Sequence, residues 1–511
     1  MTTPTLGHLA SLTIALPELA LAALACVVLL VDLVPRWRGR GVAAGLAAAG
    51  LVAVLFLVVV AHGHARGTAE YARAGRVLLF HGAVAYDGAA AFLRALFAGT
   101  GLYAILLAAP AVRRGEIAGG EFHGLLLTCL LGMGLLASAA SLLMLIVALE
   151  LVSLPAYVLT GMLRRNRRSS EAALKYAIYG AVASGMMIYG ISLLVGITGE
   201  TSLAAVGPAL RERLATGAVG APAVVAVLLL VLAGLGFKVA AVPFHFWCPD
   251  VYEGAPTAVT AFLSVGPKAA GFAALLRLVG GAFLGGAVAN DDVPWRAVLA
   301  IICVATMTLG NLAALSQRGL KRMLAYSSIA HAGYLLAGVT LGGEAGGQAV
   351  LFYLVVYVFM NLGAFACVLA FEEALCVVDV PGCRGIGWRH PALAAALTVF
   401  LLSLTGIPPM AGFAGKVMLF SALVKAGSWP WILLALAGVL NSVVSLFYYA
   451  RIVKAMYLER PDEAEAGAVV EPIPAYYHAL VWLCLLPTVA LGVWFTPLLE
   501  WTRRAAQAFG P

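Results

Sequence analysis

The sequence predicts an all-α polytopic membrane protein of about 14 transmembrane helices, and two observations carry that expectation. Of its 511 residues, 63% are hydrophobic and only 11% are charged, against roughly a quarter charged in an ordinary soluble domain. The apolar residues are also gathered into runs of about 20, the length an α-helix needs to cross the hydrocarbon core. The bilayer, not water, is the main solvent of such a surface.

In chain order the runs lie near 12–34, 41–61, 87–109, 122–140, 141–163, 171–198, 221–247, 256–284, 294–316, 323–342, 346–371, 391–425, 430–458 and 474–499. The fourth and fifth are joined almost without a loop, so the boundary near 140 is the least defined and a thirteen-span count stays open. No basic cluster precedes the first run within residues 1–11, so a retained first span is expected, not a cleaved secretory signal. The loops are too short for an independent soluble core.

Short-loop Lys and Arg set the orientation. Arg36, Arg38 and Arg40 follow the first run, Arg113 and Arg114 the third, and Arg164, Arg165, Arg167 and Arg168 the fifth. Arg318, Lys321 and Arg322 follow the ninth, and Arg451, Lys454 and Arg460 the thirteenth. All of these come after odd-numbered spans; Arg66, Arg73 and Arg76, after the second, are the exception. Both termini are therefore expected outside a bacterial inner membrane, with the basic loops in the cytoplasm. The formal charge of +8 reflects this topology and no nucleic-acid surface, since the basic residues form no stripe with interleaved aromatics.

Within the apolar runs, Glu150, Lys238, Lys268 and Lys416 are ionisable. Each such charge at a span centre costs about 2.5–3.5 kcal/mol on insertion scales, which marks ion pathways and proton relays. Burial disfavours the ammonium of a lysine and a neighbouring carboxylate restores it, so a lysine beside a movable carboxylate can take up and release protons. Glu150 and Lys238 are expected to form such a pair. Snorkelling to the interface is the alternative for each lysine, and a weightier one for Lys175, about a turn inside its span. His331 is a candidate carrier between the two halves, with a satisfied core histidine as the alternative; His245 is a weaker one.

Shifting the chain by 177 residues lays LELVSLPAYVLTG (149–161) over YSSIAHAGYLLAG (326–338), matching Tyr157 with Tyr334, Leu159 with Leu336 and Gly161 with Gly338. The register continues through Tyr176 and Tyr353, and one further residue of offset sets Lys238 over Lys416. Five spans separate the matched elements, and an odd number inverts the second copy. Inverted repeats bring discontinuous helices together near the midplane. Pro243, after Lys238, and Pro408 and Pro409, before Lys416, are the expected breaks, because proline removes a backbone donor and frees carbonyls; a merely kinked helix is the alternative for any one of them.

Eight scattered cysteines form no C-x-x-C pair, leaving no spacing for iron–sulfur or zinc ligation. His62 and His64 are read as part of a solvated loop, and no metal is assigned. With no phosphate loop and no haem attachment sequence either, no redox cofactor and no nucleotide hydrolysis are expected in this chain.

The segments EAALKYAIYGAVASG (171–185), GLGFKVAAVPFHFWCPDVYEGAPTAVTAFLSVGPKAAGF (234–272), KRMLAYSSIAHAGYLL (321–336) and LTGIPPMAGFAGK (404–416) closely resemble the N-type antiporter-like subunits of bacterial proton-pumping NADH:quinone oxidoreductase, respiratory complex I. The resemblance covers essentially the whole chain. It implies fourteen helices with two inverted five-helix bundles, here 122–284 and 294–458, after a three-helix segment 1–121 and before an acidic loop and final helix 459–511. It implies proton-translocation roles for Glu150, Lys175, Lys238, Lys268 and Lys416. Lys416 and SVGPKAAGF favour the N-type over its L- and M-type sisters. It also implies FMN, iron–sulfur clusters and quinone in partner subunits, sister antiporter-like subunits among the partners, and energy from quinone reduction elsewhere. A subunit of a multisubunit cation/proton antiporter or of a membrane-bound hydrogenase is the rival expectation. The acidic run LERPDEAEAGAVVEP (458–472) reads as a solvated loop, with a subunit contact as the alternative.

Overall fold

Short polar residues and glycines set the helix limits. Asp87 accepts from the Ala90 amide at 2.8 Å and Ser141 from Met144 at 3.2 Å, each satisfying one of the donors that a helix start leaves unpaired. The computed structural model describes residues 8–37, 41–285, 288, 292–460 and 472–510, with side chains from Ser11 onward. Arg38, Arg40 and residues 461–471 of the acidic run lie outside the described residues.

The helices are α1 His8–Ile14, α2 Leu16–Asp32, α3 Val42–Arg66, α4 Ala69–Ala74, α5 Gly88–Arg113, α6 Gly119–Ala137, α7 Leu142–Thr160 and α8 Arg167–Thr198. There follow α9 Leu203–Ala215, α10 Ala221–Val239, α11 Trp247–Gly254, α12 Thr257–Leu278, α13 Trp295–Leu315, α14 Leu320–Leu341 and α15 Gly343–Leu375. The last are α16 Ile386–Arg389, α17 Pro391–Thr405, α18 Ala411–Lys425, α19 Trp429–Leu458, α20 Ala475–Val493 and α21 Thr496–Ala506. Among the described residues 12 helices are long and apolar enough to cross a membrane, or up to 13 if the pair Pro381–Arg389 and Pro391–Thr405, bent by 119°, is one span.

Three of the runs are not single continuous helices, each for a plain cause. The range 12–34 holds a 17-residue helix, α2, behind the short α1. The range 391–425 is divided, because Gly406 takes φ +92° after α17 and two prolines precede α18. The range 221–247 stops at Val239, where Ala240 adopts a left-handed conformation (φ 59°) and Pro243 follows. The fourth and fifth runs, by contrast, are separate helices, α6 and α7. Their connection is pinned by Ala85 donating to Ser138 (2.8 Å) and Leu142 donating to Thr201 (2.8 Å).

Two further expectations change. His62 and His64 lie in the last turns of α3, which runs on to Arg66, and not in a loop. The chain is also not wholly helical: β1 (Arg76–Leu79) and β2 (Val84–Asp87) pair antiparallel, Val77 opposite Tyr86. Val77 and Leu79 alternate inward along β1, the period-2 pattern of a half-buried strand. The hairpin turns through Phe80, His81 and Gly82, all at positive φ.

α12, α14 and α15 are buried along nearly their whole lengths and form the core. Around them α3, α8, α13 and α19 bury one stripe and turn Phe56, Val182, Ile301 and Phe447 outward. Apolar side chains on both faces of a helix are stable only where lipid or another subunit replaces water. α13 packs on α14 at unusually short range: a Cβ on Gly310 would lie 2.5 Å from the Ala330 amide nitrogen, and one on Gly333 2.5 Å from that of Met307.

Candidate functional site

The buried helix α14 lays three polar side chains, Ser328, His331 and Tyr334, along one face at i, i+3 and i+6, the spacing that stacks side chains one above another. Lys268, midway along α12, donates to the Ser328 carbonyl oxygen at 3.3 Å and also to the Ser328 hydroxyl. Its ammonium stands 5.5 Å from the centre of the Tyr252 ring. One turn on, His331 Nδ1 lies 2.6 Å from the Tyr353 hydroxyl, with the Tyr334 and Tyr357 rings 5.5 and 5.2 Å from its own. A further turn brings Tyr334, whose ring face lies 4.7 Å beneath the Lys416 ammonium. Lys416 donates to the Thr405 carbonyl at 2.7 Å, one of the acceptors that the end of α17 leaves without a helical partner. α14 thus forms a rail of hydrogen-bonding and aromatic groups between Lys268 and Lys416.

Lys238, Lys268 and Lys416 are all buried, and none has a carboxylate within ion-pair distance among the described residues. Lys238 sits in the last turn of α10 against Gly271 of α12, where a Cβ would lie 3.1 Å from its Cγ. Gly271 is one turn from Lys268 along the same helix. The Lys238 ammonium is buried without a hydrogen-bond partner, as are Glu150 Oε1 and the Tyr157 hydroxyl.

The expected Glu150–Lys238 pair is therefore open. Glu150 is half-buried on α7, one turn from the exposed Val147 and Leu154, with one carboxylate oxygen turned inward. Lys175 also stands apart from the buried row, at 40% exposure, bonded to Asp250 at 2.7 Å and Glu171 at 2.9 Å. Arg322 joins the same Asp250 at 2.7 Å and Glu253 at 3.0 Å. Burial would raise the Asp250 carboxyl, but hydrogen bonds from Lys175 and Arg322 outweigh it and hold the group below its ordinary value. His245 is buried in the α10–α11 connection with Nδ1 unpartnered; Pro243 lies in that connection, and Pro408 and Pro409 in the one between α17 and α18.

Sequence reasoning passed over Ser328, Tyr252 and Asn311. It noted Tyr334 and Tyr353 only as markers of the internal match. The S-x-x-H-x-x-Y spacing inside an apolar run was the available signal for the rail. Two buried ion pairs were missed as well: Arg94 with Glu18, and Arg277 with Asp87 at 3.0 Å through both terminal nitrogens.

The helices define a multi-pass membrane protein with three lysines buried in its interior. The family model described as NADH:quinone oxidoreductase/Mrp antiporter, TM, matches residues 139–445. A protein of Sorangium cellulosum named NADH-quinone oxidoreductase subunit N 2 is 46% identical, over 98% of this chain and 99% of that one. One of Anaeromyxobacter named NADH-quinone oxidoreductase subunit N is 43% identical, over 96% of each. A solved chain of respiratory complex I from Thermus thermophilus, with aureothin bound in that complex, superposes with a TM-score of 0.74 at 34% identity, covering 95% of this chain and 98% of that one. The chain belongs to the NADH-quinone oxidoreductase subunit N family.

Proposed function

We propose that this chain is a proton-translocating membrane subunit of NADH:quinone oxidoreductase, and that its protons travel along Lys238, Lys268, His331 and Lys416. The observation that carries this reading is the α14 rail, in which Ser328, His331 and Tyr334 follow one another at one-turn spacing, with Lys268 bonded to Ser328 at one end and Lys416 over the Tyr334 ring at the other. Hydroxyl, imidazole and ammonium groups at such spacing can pass a proton by small rotations, with water completing the longer steps. Glu150 acts as the movable carboxylate: open from Lys238 in one state, it restores the ammonium when the two approach. Lys175, tied to Asp250, guards the mouth of this path.

In this reading the chain spans the membrane fourteen times, as two inverted five-helix repeats over 122–284 and 294–458 with broken spans seven and twelve. The segment 1–121 and the final helix flank them. Both termini lie outside the inner membrane. FMN, iron–sulfur clusters and quinone belong to partner subunits, and sister antiporter-like subunits are neighbours in the membrane arm.

The test is a set of single substitutions in the assembled complex: Lys268→Met, Lys416→Met, His331→Gln and Glu150→Gln. Each is expected to depress NADH-driven quinone reduction and proton uptake while NADH oxidation by an artificial acceptor is unchanged. Full pumping in the two lysine variants defeats the proposal.

A further inference from the structure

The segment after the last long helix does not dangle. α21 buries Leu498, Thr502, Ala505 and Ala506 and crosses the ends of two spans. A Cβ on Gly88, the first residue of α5, would lie 3.5 Å from the Ala505 Cα. Gln348, near the start of α15, donates to the Leu499 carbonyl at 3.3 Å, and Phe509 packs on Gly347. The beginnings of α5 and α15 and the end of α20 therefore meet at one level, and α21 lies along it, too short at 11 residues to cross a bilayer.

Its free face has an unusual composition for one that would meet water. On α21 Trp501 is 65% exposed, and Trp494, in the connection just before it, is 70% exposed; Glu500, Arg503 and Arg504 of α21 are exposed as well. Neither arginine has an ion-pair partner among the described residues. Tryptophan is enriched at the headgroup level, where an apolar ring with one polar N–H fits both neighbours, and arginine forms bidentate bonds to phosphate.

The geometry points to α21 as an interfacial anchor that docks on the phospholipid headgroup layer, with Trp494 and Trp501 seated at the boundary of headgroups and chains and Arg503 and Arg504 on lipid phosphates. A helix in this position fixes the vertical register of α5, α15 and α20, which it bridges. Which leaflet it meets rests on the orientation proposed above; the lipid contact does not.

Photocrosslinking in native membranes tests it, with p-benzoylphenylalanine replacing Trp494 or Trp501 in the whole complex and the mass of this subunit read after illumination. Leu436, exposed on α19 within the apolar stretch, is the lipid-facing control, and Arg165 the loop control. A phospholipid adduct at both tryptophan positions is the expected result. Capture of another polypeptide, or no adduct where Leu436 gives one, overturns the proposal. For the arginines, R503Q/R504Q is expected to lower the share of anionic lipid in the adduct about thirtyfold, roughly fivefold for each surface cation lost; an unchanged share removes them from the site.

Discussion

The Lys416 ammonium donates to the Thr405 carbonyl across 2.7 Å, which ties the lysine of α18 to the end of the preceding helix. Gly406 makes that approach possible. At φ +92° it ends α17, and a Cβ on it would lie 2.8 Å from Lys416 Cδ.

Gly406→Ala is therefore expected to damage the site in two ways. The left-handed backbone costs an L-residue about 1–2 kcal/mol, and the new methyl displaces the lysine stem. Assembly at near-normal levels on native gels with quinone-reductase turnover down several-fold is the expected outcome. Turnover equal to the parent would show that the Thr405–Lys416 contact is dispensable.

Tyr334 offers Lys416 a ring face at 4.7 Å and bonds Asn311 Nδ2 through its hydroxyl at 3.0 Å. Cation–π contacts that exclude water are worth about 2 kcal/mol, and phenylalanine supplies the same face. Tyr334→Phe should keep most proton pumping, whereas Tyr334→Leu should lose about tenfold, a barrier change of about 1.4 kcal/mol. Equal loss in both would assign the role to the hydroxyl and its Asn311 bond.

The spans and the lysine positions were legible because hydropathy and a lone charge inside an apolar run are local signals. Pro408 and Pro409 marked the division of α17 from α18 in the same way, whereas the positive φ of Gly406 came only with the structure. What joins the lysines was not local. Ser328, Tyr334 and Tyr353 are ordinary core residues until the packing of α14 between α12, α15 and α18 brings them to Lys268, His331 and Lys416. The separation of Glu150 from Lys238 was not legible either, because a residue's place in a run does not state how far its side chain lies from one on another helix. The β1–β2 hairpin was hidden by its length, four residues a strand, beside long helical runs.

Asp250 receives both Lys175 and Arg322 at 2.7 Å. Its carboxyl is held below the ordinary 3.8, so the folded state favours the ionised form more than the unfolded chain does. This contribution is fully present above the unfolded value and is lost as pH falls through the lower folded one. Because the pairs are partly exposed, the effect is about 0–1 kcal/mol for each. Thermal unfolding of the complex between pH 7 and pH 3 should show a smaller acid-induced loss in Asp250→Asn than in the parent. Parallel curves would mean that the network carries no net stabilisation.

Asp87 is wholly buried and accepts from Arg277 through both oxygens at 3.0 Å, while Arg277 also donates to the Ala137 carbonyl. The pair joins the start of α5 to α12. Removing one partner of a buried pair leaves a charge without compensation and costs about 3–5 kcal/mol. Asp87→Asn keeps a side chain able to cap α5, so it isolates the lost charge. It should lower the amount of assembled complex and its thermal midpoint, and adding Arg277→Met should restore most of both, since the stranded cation is then gone. If the double variant is no more stable than Asp87→Asn alone, the pair's importance lies in the hydrogen bond to Ala137 and not in charge compensation.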